Sequence, residues 1–176
     1  MKKRSVAYFL AMALEICVLL FADVKTDYDH HADFSQYHSY SWMKVQAGNQ
    51  LWQERIMEDV DRALQAKGWQ KVPSGGDTGV TAFGATKDVP TLQTFYDGLG
   101  GGWGWRGFGS DGVATTTVDN DREGTLTVDI FDNSTKKLIW RGTATNSLSG
   151  DPEKNAKKLA STVEDMFKHF PPKPKG

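Results

Sequence analysis

The sequence is poor in cysteine, in net charge and in long hydrophobic runs. It has one cysteine among 176 residues, Cys17, which excludes an internal disulfide and a zinc centre built from several thiolates. Its 21 Lys and Arg and 22 Asp and Glu leave a formal net charge of −1, so the basic surface typical of nucleic-acid binding is lacking. The rest of the composition, with 39% hydrophobic and 11% aromatic residues, is typical of one globular domain.

The main apolar run lies at the N-terminus and has the layout of a secretory signal. Three basic residues at positions 2–4 precede a nearly continuous apolar stretch over residues 7–22, and Asp23 opens a polar sequence. Glu15 within the run, and a length below the roughly 20 residues of a spanning helix, disfavour a permanent membrane span. The sequence therefore predicts a signal peptide over residues 1–22 and an exported protein, periplasmic or associated with the outer membrane. Membrane association through a retained segment stays open as the alternative.

Cys17 lies inside this predicted signal peptide. In bacterial lipoproteins the acylated cysteine follows a small residue, whereas here Glu15 and Ile16 precede Cys17 and Val18 follows it. We therefore do not expect Cys17 to be lipidated, and the processed chain would contain no cysteine.

Patterns after residue 23 predict a two-layer α+β domain. Alternating apolar residues predict strands over residues 24–29, 37–42, 80–85, 91–96, 113–118, 125–131 and 137–145. Helical spacing predicts one helix between Asn49 and Gly68 and a second one opening at Asp151-Pro152. We expect a single domain over residues 23–172, an antiparallel β-sheet packed against two α-helices, and a disordered tail over residues 173–176.

The last predicted hairpin provides two finer expectations. Residues 132–135 form the predicted turn, and both Asp129 and Asp132 are expected to serve it. On the returning strand, Leu138 and Trp140 are expected to share one face because they are two residues apart.

Several motifs along the chain resemble those of a known bacterial family. They are Asp33-Phe34-Ser35-x-Tyr37, Tyr40-x-Trp42, Leu64-x-Ala66-Lys67-Gly68-Trp69, the strand Gly124–Asp132 and the strand Lys137–Gly142. In order and spacing they resemble the domain-of-unknown-function 4136 family over nearly the whole chain after its N-terminal segment. The resemblance implies an envelope protein, often a lipoprotein on the periplasmic side. It implies no activity, no cofactor and no catalytic residue.

A glycine-rich segment over residues 98–109 carries three closely spaced aromatic residues. It contains Gly-x-Gly-x-x-Gly matches, but no predicted helix follows and no Gly-Lys-Ser/Thr ending is present, which disfavours nucleotide binding. Rigid rings on a glycine backbone suit recognition of a partner surface, so the hypothesis is that Trp103, Trp105, Arg106 and Phe108 contact an envelope protein or a cell-wall component. The alternative is that the rings fold back onto the domain.

A second constellation follows the first predicted strand and combines carboxylates with imidazoles, which are good ligands for divalent metals. Its members are Asp27, Asp29, His30, His31 and Asp33, with His38 nearby. One interpretation is a metal-dependent hydrolase or metal-binding protein; the other is a polar turn with solvated side chains, since the spacing matches no established metal site.

The sequence otherwise offers little support for an enzyme. It lacks a Gly-x-Ser-x-Gly nucleophile elbow, and we expect no cofactor. The leading hypothesis is a non-enzymatic envelope domain that works by binding. A third possibility is an assembly subunit whose exposed strand edge pairs with a neighbour.

Overall fold

A computed structural model describes residues 22–86 and 123–173. The elements in chain order are β1 (Asp23–Tyr28), a 3-10 turn (Phe34–Gln36), β2 (Ser39–Gln46), α1 (Gln50–Ala66), β3 (Gln70–Lys71), β4 (Thr78–Thr86), β5 (Glu123–Asp132), β6 (Leu138–Ser147) and α2 (Pro152–Met166). The predicted signal peptide before residue 22, the strands predicted over 91–96 and 113–118, the glycine-rich segment and the last three residues of the predicted tail lie outside the described residues.

The strands described form one six-stranded sheet in the order β1-β6-β5-β4-β2-β3. The predicted α+β domain, with one sheet and two helices, is confirmed. The sheet is mixed, however, and not purely antiparallel: β2 runs parallel to both β3 and β4. The physical reason is α1, which follows β2 and carries the chain back along the sheet, so that the next strands run in the direction of β2.

Both helices begin where the sequence predicts. The side chain of Asn49 accepts a hydrogen bond from the backbone N–H of Trp52 at 3.0 Å and caps α1. Asp151 caps α2 by accepting from the backbone N–H groups of Glu153 and Lys154, with Pro152 in the first turn. These caps satisfy backbone donors that a helix start otherwise leaves unpaired.

The main hydrophobic core lies between the helices and one face of the sheet, which we call the helix face. Ile56, Val60 and Leu64 of α1 are buried in it with Val163 and Met166 of α2. The strand residues that complete this core include Tyr40, Val80, Ala82, Leu126, Val128, Ile130, Trp140 and Ala144. Their spacing of two along each strand is the period that a sheet face requires.

The opposite face of the sheet also carries buried side chains. Phe131, Phe83 and Leu138 are only 0%, 5% and 2% exposed, yet they do not belong to the main core. The expectation that Leu138 shares a face with Trp140 is wrong. A register shift pairs Trp140 with Ile130 and Leu138 with Phe131, so a bulge at Ile139 turns Leu138 to the opposite face.

Gly142 of β6 lies directly against a side chain of α2. A Cβ atom at this position would overlap the side chain of Met166 and lie 2.6 Å from Cη2 of Trp140. We expect Gly142→Ala to lower the free energy of unfolding by about 1–3 kcal/mol, because both neighbours are fixed in the core. Urea unfolding would measure the change.

Gly150→Ala is the matched control, since nothing lies within 4 Å of a Cβ there. It should leave the urea midpoint nearly unchanged. Equal midpoints for the two variants would contradict close packing of α2 on β6.

Candidate functional site

The carboxylates of the predicted metal constellation hold the loop after β1 in shape. Asp33 accepts hydrogen bonds from the backbone N–H of Ser35 at 3.0 Å and from its hydroxyl at 2.6 Å. These bonds, with that of the hydroxyl the stronger, lower the pKa of Asp33. Asp29 accepts from the backbone N–H of His31 at 2.9 Å, and Asp27 accepts from that of Tyr28 at 2.9 Å. Each carboxylate therefore already serves a backbone donor of its own segment.

The histidines of the constellation point to different surroundings. The ring of His30 packs edge-on against Tyr28, with centroids 4.3 Å apart. His31 is 98% exposed at its side chain and places Nδ1 3.3 Å from Oδ1 of Asp29. Within residues 22–86 and 123–173, no three His, Cys, Asp or Glu side chains form a group that could hold a metal ion. The arrangement here is that of a polar turn.

A shallow groove of about 300 Å³ separates this loop from the C-terminal end of the described chain. Its lining residues are Tyr28, His30, Ala32, Asp33, Phe34, Ser35, Pro171, Pro172 and Lys173. Tyr28 and Phe34 meet edge-on at 6.2 Å and form its aromatic wall. One imidazole, one carboxylate and one ammonium lie among mainly apolar groups, so the groove can accept an apolar group but brings together no set of reacting residues.

Asp132 organises the turn between β5 and β6, as the sequence predicts. Its Oδ1 accepts from the backbone N–H and hydroxyl of Ser134, both at 2.7 Å, and from the backbone N–H of Thr135 at 3.1 Å. Its Oδ2 accepts from the hydroxyl of Tyr37 at 3.0 Å. Burial alone would raise the pKa of Asp132, but these hydrogen bonds outweigh it and lower the pKa to about 2. Burial and the nearby carboxylate raise the pKa of Tyr37 to about 12.

Asp129 does not serve the turn, and that expectation is wrong. It lies opposite Arg141 in the register of β5 and β6. Nε and Nη2 of Arg141 each donate to one oxygen of Asp129 at 2.7 Å. The two side chains are 0% and 8% exposed, so this is a buried bidentate ion pair on the sheet face opposite the helices. Removing one partner of such a pair typically costs about 3–5 kcal/mol.

Asp61 links α1 to the edge of the sheet. Its Oδ1 accepts from the hydroxyl of Tyr40 at 2.8 Å and from Nε1 of Trp42 at 2.9 Å, and its Oδ2 pairs with Nζ of Lys71 at 2.8 Å. Burial, together with this hydrogen bond and charge, raises the pKa of Tyr40. The sequence analysis did not predict this cluster. The available signals were Tyr40 and Trp42 on one face of a predicted strand and an acidic residue beside the apolar stripe of α1.

The hydroxyls near these carboxylates are also committed to structure. Three serine hydroxyls each donate to a nearby carboxylate: Ser35 to Asp33, Ser39 to Asp77 and Ser134 to Asp132. The first and third pairs lie within single turns, and the second joins the start of β2 to the residue before β4. Asp77 also accepts from the backbone N–H groups of His38 and Ser39, and the first of these bonds is the main cause of its lowered pKa. In these contacts the serine hydroxyls donate to carboxylates, and none of them donates to a histidine ring.

The residues of the leading binding hypothesis lie outside the described part of the chain. They are Trp103, Trp105, Arg106 and Phe108, and Cys17 is outside it as well. The described residues fix only where their segment begins and ends: β4 ends at Thr86 and β5 begins at Glu123.

Comparison with known protein families identifies the family of this chain. The family described as "Domain of unknown function (DUF4136)" matches residues 24–172. The chain belongs to this family. The DUF4136 match includes every described strand and helix except the first residue of β1. Among curated proteins, no sequence matches this DUF4136 chain.

Several solved structures are similar to this DUF4136 chain at low sequence identity. A PDZ domain protein from Parabacteroides distasonis is 12% identical with a TM-score of 0.58, over 88% of this chain but only 36% of that one. This chain thus spans about a third of that protein. The PelC dodecamer from Paraburkholderia phytofirmans is 12% identical with a TM-score of 0.46, over 84% and 98% of the two chains. A minor lipoprotein from Acinetobacter baumannii is 12% identical with a TM-score of 0.35, over 76% and 92%.

Across the helices of the described residues, none has both the length and the apolar character needed to span a membrane.

The lowered pKa of Asp132 predicts a pH-dependent contribution to stability. A carboxylate whose pKa is lower in the folded chain stabilises the fold above its usual pKa of 3.8, and that stabilisation is lost as the pH falls toward 2. Because Asp132 is 8% exposed, the contribution is about 2 kcal/mol at neutral pH. Wild type should therefore exceed Asp132→Asn in free energy of unfolding at pH 6, and the difference should shrink to about 0.4 kcal/mol near pH 2.

Urea unfolding at pH 6, 4, 3 and 2 measures this difference. Asp165→Asn, on the exposed side of α2, is the matched control and should follow wild type throughout. A difference of the same size at pH 6 and pH 2 would contradict the role of the ionised Asp132 carboxylate.

Proposed function

We propose that this DUF4136 chain is a non-enzymatic binding domain of the cell envelope, and that its partner contacts are made by Trp103, Trp105, Arg106 and Phe108. The partner is an envelope protein or a cell-wall component, without a nucleic-acid or cofactor requirement. The domain itself acts as a rigid support for the segment that carries these four residues.

The observation that carries the proposal is the length of the connection between β4 and β5. These strands are direct antiparallel neighbours, with Thr86 opposite Gly124. A hairpin of this kind closes with two to five residues, but here 36 residues, 87–122, join the two strands. Long connections between paired strands commonly carry function.

The chemistry of the described residues supports binding over catalysis. Asp61, Asp77, Asp129 and Asp132 each satisfy two or more donors within the fold. Carboxylates held in this way are poor candidates for proton transfer, which needs a group free to reach a substrate. The metal-dependent alternative gains no support, because among the described residues no three of its carboxylates and imidazoles form a group that could hold a metal ion.

The envelope location rests on the N-terminal sequence. The basic residues at 2–4 and the apolar stretch over 7–22 form a secretory signal pattern ahead of the matched family region. An exported domain meets periplasmic proteins, the cell wall and the inner leaflet of the outer membrane, and rigid aromatic side chains are well suited to such surfaces.

Photo-crosslinking in living cells tests this proposal. A photoreactive amino acid replaces Trp105 in one strain and Lys157, an exposed residue of α2, in a matched control strain. We expect illumination to give a discrete adduct at position 105 and none at position 157, because only the first position belongs to the contact surface.

The identity of the adduct separates the possible partners, since mass spectrometry distinguishes a protein from a peptidoglycan fragment. Equal adduct patterns at both positions, or no adduct at position 105 while the protein is present at wild-type level, would contradict the proposed contact residues.

A further inference from the structure

The two edge strands of the described sheet differ in length. At one edge, β3 has only two residues, Gln70 and Lys71, and short edge strands are a common way to prevent pairing with another chain. At the other edge, β1 is a regular six-residue strand without proline. In the part of the chain that the structure describes, β1 pairs with β6 alone, so its outer edge carries no strand.

The register of β1 determines which backbone groups point outward. The N–H of Asp29 donates to the carbonyl of Ile139 at 2.9 Å. Since hydrogen-bonded positions alternate along an antiparallel pair, the odd-numbered residues of β1 bond to β6. The N–H and C=O groups of Val24, Thr26 and Tyr28 therefore face away from the sheet. Of these, the N–H of Tyr28 is bonded locally to the carboxylate of Asp27.

The exposed side chains of β1 alternate in charge. Asp23, Lys25 and Asp27 are exposed on the face opposite the helices. Asp23 and Lys25 lie 3.3 Å apart but are 68% and 67% exposed, so this ion pair is weak and can rearrange. Val24 and Tyr28 lie on the helix face and pack partly against the core.

These features make the strand complementary to itself. If two copies of β1 run antiparallel with Thr26 opposite Thr26, Lys25 of each copy lies opposite Asp27 of the other, while Asp23 lies opposite Asp29 just outside the five-residue overlap. Val24 then lies opposite Tyr28, so apolar side chains meet on the helix face. The outward-facing residues of both copies become the hydrogen-bonded pairs of the new ladder. A shift by two residues toward the C-terminus would lose the Lys25–Asp27 pairs and place Asp27 opposite Asp29 within the overlap, which is repulsive.

We propose that a second copy of this chain pairs with the outer edge of β1 in this register and extends the sheet across a two-fold axis. In the dimer the carboxylate of Asp27 releases the backbone N–H of Tyr28 and pairs with Lys25 of the second copy. The freed N–H of Tyr28 then donates to the backbone carbonyl of Val24 of the second copy. The overlap covers five residues of each copy, which is small for a stable interface, so the dimer forms and dissociates reversibly. This proposal is independent of the aromatic contact residues.

Sedimentation velocity over a range of protein concentrations tests the pairing. Wild type should show a concentration-dependent monomer–dimer equilibrium that weakens at high salt. Lys25→Asp places carboxylates opposite each other at two symmetric positions and should weaken dimerisation by about tenfold. The double variant with Lys25→Asp and Asp27→Lys restores the complementary charges and should recover most of the wild-type association.

Thr26→Pro provides a second test that does not depend on charge. Proline removes an N–H that faces outward, so no bond to β6 is lost, and edge strands tolerate proline at such positions. The variant should keep the wild-type melting temperature and become monomeric. Wild type that stays monomeric at all concentrations, or a dimer unaffected by Thr26→Pro and by Lys25→Asp, would overturn the proposal.

Discussion

The ring of Phe170 lies where four distant parts of the chain meet. Its centroid is 5.1 Å from Trp69 after α1, 5.3 Å from Trp140 in β6, 5.4 Å from Phe167 at the end of α2 and 5.9 Å from Phe34. Edge-to-face contacts of this kind add about 0.5–1.5 kcal/mol each to the burial of the rings. The position of α2 on the sheet and the shape of the loop after β1 both depend on this cluster. The groove between that loop and Pro171 is a direct consequence of it.

Local patterns in the sequence predicted the helices and strands well. The features that these patterns missed depend on pairing between distant parts of the chain. Asn49 and Asp151 are good caps with apolar stripes behind them, so both helices begin as predicted. The parallel arrangement of β2 and β4 depends on where α1 packs, which no short pattern reveals. The bulge that separates Leu138 from Trp140 similarly depends on register against β5. The ion pair of Asp129 with Arg141 was missed for the same reason, because alignment outward from the turn without the bulge places Trp140 opposite Asp129.

The candidate site shows the same division between local and long-range information. A run of carboxylates and histidines suggested a metal centre, but backbone donors two residues away use Asp29 and Asp33. Short-range hydrogen bonds of this kind compete with any ligand and are common where Asp follows a strand. The Asp61 cluster joins residues that are 10 to 21 positions apart, and spacing alone could not distinguish it from a solvated helix face. The carboxylates of the described residues thus mainly hold turns, strand ends and strand pairs of the fold itself.

One measurement tests most directly whether the aromatic residues of the connection between β4 and β5 belong to function or to the fold. The variant with Trp103, Trp105 and Phe108 all changed to alanine is compared with wild type in a thermal melt. Residues that contact a partner leave the melting temperature within about 3 °C, since exposed substitutions change stability by about 0.5 kcal/mol or less. Rings packed against Phe83 and Phe131 on the sheet face opposite the helices would instead lower it by more than about 10 °C, because each buried aromatic truncated to alanine costs about 3–5 kcal/mol. The first result is the one predicted; the second would contradict the assignment of these residues to partner binding.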